Sequence, residues 1–462
     1  EVSSSIYDRQ EAIDYLNRLL KRFPKSPHRP EAERVIDELR KHDKVMRGKA
    51  RTSRKMRTAV TALKTSEVSK AKGGAATPPQ SLAEVNAIRF WSSPTYARVV
   101  IDVEPEVVYS HRLLKGDPAT SGPDRLLIDL TDARVGPGVK PFLPTEGTLL
   151  ADARATQHRP DTVRVVVDLK SIDHVRVFSL PNPFRILVDV RSVPVKTASK
   201  KRVEQGQEKS ASKLPEGALA KQLALGVRKI VIDPGHGGDD FGATGYLKGV
   251  FEKNVALEVS QRLAKRIRER LGCEAILTRE DDRRLSLEQR TAFANTVGAD
   301  LFISIHTNAH KKMASYGTET YFLNLATDED AILLAARENA ASANSISDLE
   351  GILTDLMTQT KQEESSRLAR HVQDALVRTL NAKFGKIKDK GVKQAPFYVL
   401  LGADMPCILV EVAFITNPRE CRRLNTTAYQ DAVADAIVTG IEAYVKEMRS
   451  PTITEAKVGN AG

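Results

Sequence analysis

Four residues have side chains that can do chemistry together: His236, Glu252, His306 and Glu411. Two imidazoles and a carboxylate are a common zinc-ligand set in hydrolytic sites, leaving one coordination position for water. A second carboxylate held close by then serves as general base. His236 sits in "IVIDPGHGG", directly after a short apolar run. His306 ends the apolar run in "LFISIHTNA", and Glu411 lies inside "CILVEVAFITN", where a carboxylate without a partner is costly.

Each residue taken singly also has a structural reading. A lone histidine at a strand end is more often a satisfied structural group. Glu252 suits a helix N-terminus through the dipole. Arg279 and Arg290 are available to pair with Glu411. No compact zinc signature such as HExxH is present, so spacing alone leaves both readings open.

The elements around these residues alternate strand and helix from residue 228 onward, the grammar of an α/β domain. A strand over 229–233 leads to a helix over 253–270, on which Val255, Val259, Leu263 and Ile267 share one face. Strand "EAILTR", helix "SLEQRTAFANTVG", strands "LFISIHTNA" and "GTETYFL", and a helix over 365–380 follow. Strands "FYVLL" and "CILVEVAFI" and a last helix over about 428–447 close the domain. The expected fold is a central mixed sheet with helices on both faces. In such sheets ligands gather beyond the carboxyl ends of the strands, where His236 and His306 fall.

Upstream, "ARVVIDVEPEVVYSHRLL…PDRLLIDL" (97–130) repeats as "VRVVVDLKSIDHVRVFSLPNPFRILVDV" (163–190). The alternating, β-branched pattern predicts an all-β domain of two packed sheets over 83–193. Its aspartates Asp102, Asp129, Asp168 and Asp189 read as turn formers at strand ends. Residues 1–64 read as a helical hairpin, tetratricopeptide-like in pattern. By composition 65–82 and 194–226 are linkers, 227–449 is the α/β domain, and 450–462 is a disordered tail. Cys273, Cys407 and Cys421 lack any CxxC spacing, which excludes a cysteine-rich metal module; free buried thiols are expected. The net charge of +12 favours an anionic partner, but an aromatic content of 5% without Arg/Lys–aromatic interleaving argues against nucleic acid. No apolar run is long enough for a transmembrane segment.

The motifs "IVIDPGHGG", "EKNVALEVSQRL", "LTREDDRRLSLEQRTAFAN", "LFISIHTNA", "GTETYFL" and "ILVEVAFITN" occur in this order over about 228–447. Together they resemble the zinc-dependent N-acetylmuramoyl-L-alanine amidases of bacterial cell-wall turnover. The double-repeat domain resembles the AMIN type, which targets such amidases to the wall. The resemblance implies a Zn2+ cofactor held by His236, Glu252 and His306, with Glu411 polarising the water and shuttling its proton. It implies peptidoglycan as substrate, cut at the amide between N-acetylmuramic acid and the L-alanine of the stem peptide. Asn308 and Arg290 are candidates to support the ligands. Asn308 departs from some division amidases, which have an aspartate there.

Residues 325–364 form an insert too long and too patterned for a plain loop. Ile332, Leu333, Ala336 and Ala340 make one helical stripe, and Ile352, Leu353, Leu356 and Met357 a second. Division amidases carry a comparable insert that covers the zinc site until an activator protein displaces it. On that likeness Glu338 caps the metal and the second stripe docks the activator. The alternative is that both stripes pack as ordinary helices. A wall substrate and an AMIN-type domain imply an exported, periplasmic protein; no signal-peptide pattern is visible in this sequence. Competing functions are another zinc hydrolase, such as a stem-peptide endopeptidase, and a non-catalytic wall-binding protein.

Overall fold

The computed structural model describes residues 82–116, 122–139, 148–170, 172–192, 226–326, 328–340 and 359–449. The helical hairpin expected over 1–64, nearly all of both linkers, the second stripe of the insert and the tail lie outside the described residues.

The first domain is all β. Its strands are β1 (Ala83–Ser92), β2 (Tyr96–Glu104), β3 (Tyr109–Leu114), β4 (Asp124–Thr131), β5 (Ala133–Val135), β6 (Leu150–Arg159), β7 (Thr162–Leu169), β8 (His174–Leu180) and β9 (Arg185–Arg191). They make two sheets, ordered β5-β1-β2-β9-β8 and β3-β4-β7-β6. Alternate residues turn inward: Leu126, Ile128 and Leu130 of β4 and Val163, Val165 and Val167 of β7 share one core with Val188 and Val190 of β9. The two repeated halves do not build one sheet each. The leading strand of the first half, β2, pairs with β9 of the second, and the leading strand of the second, β7, pairs with β4 of the first.

The four aspartates correct the expectation of turn formers. They lie within strands, and each meets an arginine of a neighbouring strand: Asp102 with Arg89, Asp129 with Arg164, Asp168 with Arg154, and Asp189 with Arg98. Opposite charges across a ladder stabilise the pairing, which composition along a single strand does not reveal.

The second domain contains β10 (Lys229–Pro234), α1 (Glu252–Leu271), β11 (Glu274–Leu277), α2 (Leu287–Thr296), β12 (Leu301–Asn308) and β13 (Thr318–Leu323). It continues with α3 (Glu329–Glu338), α4 (Gln359–Phe384), β14 (Asp389–Ala395), β15 (Cys407–Phe414), α5 (Pro418–Leu424) and α6 (Thr427–Arg449). The strand order is β11-β10-β12-β15-β13-β14. Strands β11, β10, β12 and β15 are parallel, and β13 runs antiparallel to β15. Every residue of β12 and β15 is buried, as expected for strands covered on both faces.

On one face α1, α4 and α6 pack through Val255, Val259, Leu263, Leu368, Leu376 and Ile437. The other face is covered by α2, α3 and the turn around Tyr398, together with Val100 and Leu187 of the β domain. The two domains therefore share one apolar cluster. "FYVLL", expected as a strand, is a 3-10 turn over Tyr398–Leu400. Its edge position is taken by β14, whose sequence DKGVKQA has little strand character but pairs in parallel with β13. All three cysteines are free and buried. Among the described residues no helix is long and apolar enough to cross a membrane.

Candidate metal centre

The site forms where β10, β12 and β15 end. After β10 the chain turns through Gly235, and His236 takes a left-handed φ of 58° that points its ring inward. Glu252 is the first residue of α1 and is fully buried. Its Oε2 accepts from the Ala243 amide at 2.8 Å, and its Oε1 from the Thr307 amide at 3.0 Å. These bonds hold the carboxylate against the end of β12, where His306 Nδ1 lies 3.0 Å from Oε1. The glycines have a steric reason. A Cβ on Gly235 would lie 2.5 Å from His306 Cε1, and one on Gly242 2.5 Å from His236 Cδ2.

A fourth donor comes from the insert. Glu338, the last residue of α3, places Oε2 3.2 Å from both His236 Nε2 and His306 Nδ1. Asp328 caps the start of α3 by accepting from the Ala331 amide at 2.8 Å. Asn339 pins its end, donating to the Pro396 carbonyl and accepting from the Tyr398 amide, both at 2.8 Å. Arg337 Nε holds Glu338 Oε1 at 2.9 Å and leaves Oε2 for the centre. The buried face of α3 is Ala331, Leu334, Ala335, Ala336 and Glu338, with Ile332 packed against the same cluster, whereas Leu333 is exposed. Of the expected stripe, Ile332 and Ala336 pack on the domain, while Leu333 is exposed and Ala340 lies beyond the helix end, so the buried face is shifted toward Leu334 and Glu338.

His236, Glu252, His306 and Glu338 each offer one donor atom, all within 4.8 Å of one another. Four of the six separations, 3.0 to 3.3 Å, lie at or somewhat below the edge of about 3.3–3.4 Å of a tetrahedron with bonds of about 2.0–2.1 Å. His236 Nε2 and Glu338 Oε2 are buried and have no hydrogen-bond partner despite lying 3.2 Å apart. They aim at a common point between them rather than at each other, which fits a metal ion. His236 Nδ1 lies 3.0 Å from Asp240 Oδ2, a contact that fixes the ring and leaves Nε2 as the inward atom. Asp240 was missed from sequence; its signal is the position four residues after the histidine.

Charge follows this packing. Burial works against protonation of His306, but Glu338 and Glu252 outweigh it and raise its pKa to about 9. Glu252 and Glu338 are held below the usual carboxylate range, since the histidines offset the burial that would raise them. Glu411 goes the other way. Burial and then the nearby Glu252 push its pKa well up. It is the register partner of His306 across β12 and β15.

Arg279 and Arg290 do not pair with Glu411. Arg279 donates to the carbonyls of Pro234, Gly235 and Lys253. Arg290 Nη1 binds Asp233 Oδ1 at 2.8 Å and its Nη2 the His236 carbonyl at 2.9 Å, so it braces the loop carrying His236. Asn308 is not drawn into the cluster; its amide donates to Glu319, which Lys390 and Lys393 also hold.

A cleft of about 450 Å³ opens beside His236, His306 and Glu338. A second cavity, about 520 Å³, is lined by Asn308, Glu319 and Phe414. Residues of α3 line both, Glu338 the first and Leu334 and Arg337 the second, so the helix stands between them.

The chain is similar in sequence to known proteins. A family model described as N-acetylmuramoyl-L-alanine amidase matches residues 230–443, and an AMIN domain model matches 87–177. The chain is 30% identical over 414 residues to N-acetylmuramoyl-L-alanine amidase AmiC of Neisseria meningitidis, spanning 84% of this chain and 95% of that protein. It is likewise 30% identical over 390 residues to AmiC of Escherichia coli, spanning 79% and 90%. A crystal structure of an N-acetylmuramoyl-L-alanine amidase from Clostridium difficile aligns with 48% of this chain and 97% of its own, at 30% identity and a TM-score of 0.38. The chain belongs to the N-acetylmuramoyl-L-alanine amidase family, cell-wall hydrolases, and carries an AMIN domain ahead of its catalytic domain.

Proposed function

We propose that the protein is a zinc amidase of peptidoglycan held shut by its own insert. His236, Glu252 and His306 are the zinc ligands, Glu411 is the general base and acid, and Glu338 occupies the position that water and substrate need. The observation that carries this reading is the convergence of four buried donors, one of them from α3. When bound, zinc supplies a Lewis acid that lowers the pKa of water and offsets charge on the scissile carbonyl oxygen.

The chain does the rest. Asp240 and Arg290 keep His236 in place. Glu411 takes a proton from the attacking water and passes it to the leaving nitrogen as the C–N bond breaks. The products are a lactyl carboxylate and a stem peptide with a free L-alanine amine.

Opening the site requires α3 to leave, which would join the two cavities on either side of it. A partner protein acting on the insert over 325–364 is the natural trigger, and the wall substrate and AMIN domain favour an exported, periplasmic location. Mass spectrometry of digested purified wall tests the activity. Intact peptides with a free L-alanine amine are expected. Cuts within the peptide would make it an endopeptidase, and no release even after deletion of 332–362 would make it a binding protein.

A further inference from the structure

The AMIN domain is built into the catalytic body by a seam of buried charge. Arg98 of β2 is fully buried. Its Nε and Nη2 bind both carboxylate oxygens of Asp189 at 2.6 and 2.7 Å. Its Nη1 crosses to α2 of the catalytic domain, donating to Thr291 Oγ1 at 2.7 Å and to the Glu288 carbonyl at 3.2 Å. The Glu288 side chain, also buried, pairs with Arg185 and, at 3.5 Å, with Arg89, both from the AMIN domain. Removing one partner of a buried ion pair leaves an uncompensated charge, so a substitution in this seam is costly while the domains stay docked. Gly402 marks how closely the domains approach: a Cβ there would lie 2.2 Å from Arg98 Nη2.

The same first turn of α2 carries Arg290. Ser286 caps that turn, accepting from the Gln289 amide. Arg290 does reach the loop, through Asp233, the Pro234 carbonyl at 2.7 Å and the His236 carbonyl. Seam and loop are thus two residues apart on one rigid element. Arg89, Pro183 and Arg185 of the AMIN domain also line the cleft that contains His236 and His306.

We propose that the AMIN domain is a positioning element of the active site. By gripping Glu288 it fixes the first turn of α2, and Arg290 on that turn passes the constraint to the loop carrying His236. Glu288 and Arg98 are positioning residues, acting through Arg290. The inference rests on His236 being a metal ligand.

The test uses the full chain with Glu288→Gln and Arg98→Met, at a temperature where both are folded. Backbone hydrogen exchange of residues 234–240 and the rate of zinc loss to a chelator are followed. Both are expected to rise, zinc loss by about tenfold, the lower range for groups that orient a ligand. Asp129→Asn, which breaks an AMIN-domain pair with Arg164 away from the seam, is expected to leave both unchanged. If either seam variant fails to fold, Gly402→Ala takes its place as a wedge against Arg98. Opening of 287–296 with no change at 234–240 and no change in zinc loss would overturn the proposal. A wild-type protein that holds no zinc would instead overturn the metal assignment, and exchange at 234–240 would then decide the positioning alone.

Discussion

Glu411 and His306 are register partners on adjacent parallel strands, yet neither oxygen of the Glu411 carboxylate has a hydrogen-bond partner. A fully buried carboxyl group left in that state is costly to folding. Its presence beside a histidine of the candidate metal centre points to chemistry, because perturbed groups of this kind collect at functional sites.

Replacing Glu411 with Gln is therefore expected to lower amide release from purified wall by about 10²- to 10⁴-fold, the usual contribution of a general acid–base group. Zinc content should stay equal to that of the wild type, and the melting temperature should not fall. Loss of zinc would place Glu411 among the ligands instead.

Glu338→Ala removes the donor that α3 contributes to the centre. Basal hydrolysis should rise severalfold, and deletion of 332–362 should raise it further. A flat response from both folded variants would mean that α3 packs beside the site without closing it.

Gly235→Ala tests the fit between the loop and the second histidine. Its Cβ would press on the His306 ring, which is buried. Overpacking of this kind costs roughly 1–3 kcal/mol. Reduced zinc stoichiometry and a lowered melting temperature are expected together; a variant that binds zinc normally would show that the loop can shift.

The seam gives a pH dependence with a definite sign. Burial would raise the Glu288 pKa, but Arg185 and Arg89 outweigh it and hold it below the usual value. A depressed folded pKa means stability that is present above the unfolded value, about 4.3, and lost as pH falls through the folded one. Hydrogen exchange in 287–296 should accelerate on acidification through that window, and in Glu288→Gln it should be fast already at neutral pH. Equal acid sensitivity in both proteins would remove Glu288 from the account.

Much of the catalytic domain is legible along the chain because its elements are long and strongly periodic. Val255, Val259, Leu263 and Ile267 repeat on one face of α1, and all are buried. The apolar runs of β12 and β15 read directly as strands covered on both faces. β14 was illegible because DKGVKQA takes its strand form from the edge of β13, not from its own residues. "FYVLL" misled for the converse reason: its apolar side chains are spent on the shared cluster with the AMIN domain, which needs no strand.

By itself the sequence determined the candidates: two histidines and a glutamate near element ends, a glutamate inside an apolar strand, six ordered motifs, and a repeated β pattern. Those are properties of side-chain type and local period, and they persist whatever the packing. Only the tertiary structure decided how Glu338, expected there on a family likeness, reaches the same cluster, that Asp240 orients His236, and that the two β halves exchange strands. It also decided that Arg98 and Glu288 join the domains. Each of these joins groups far apart in sequence or turns a ring within one loop, and such distances are set by packing and by the cost of leaving buried charge unpaired.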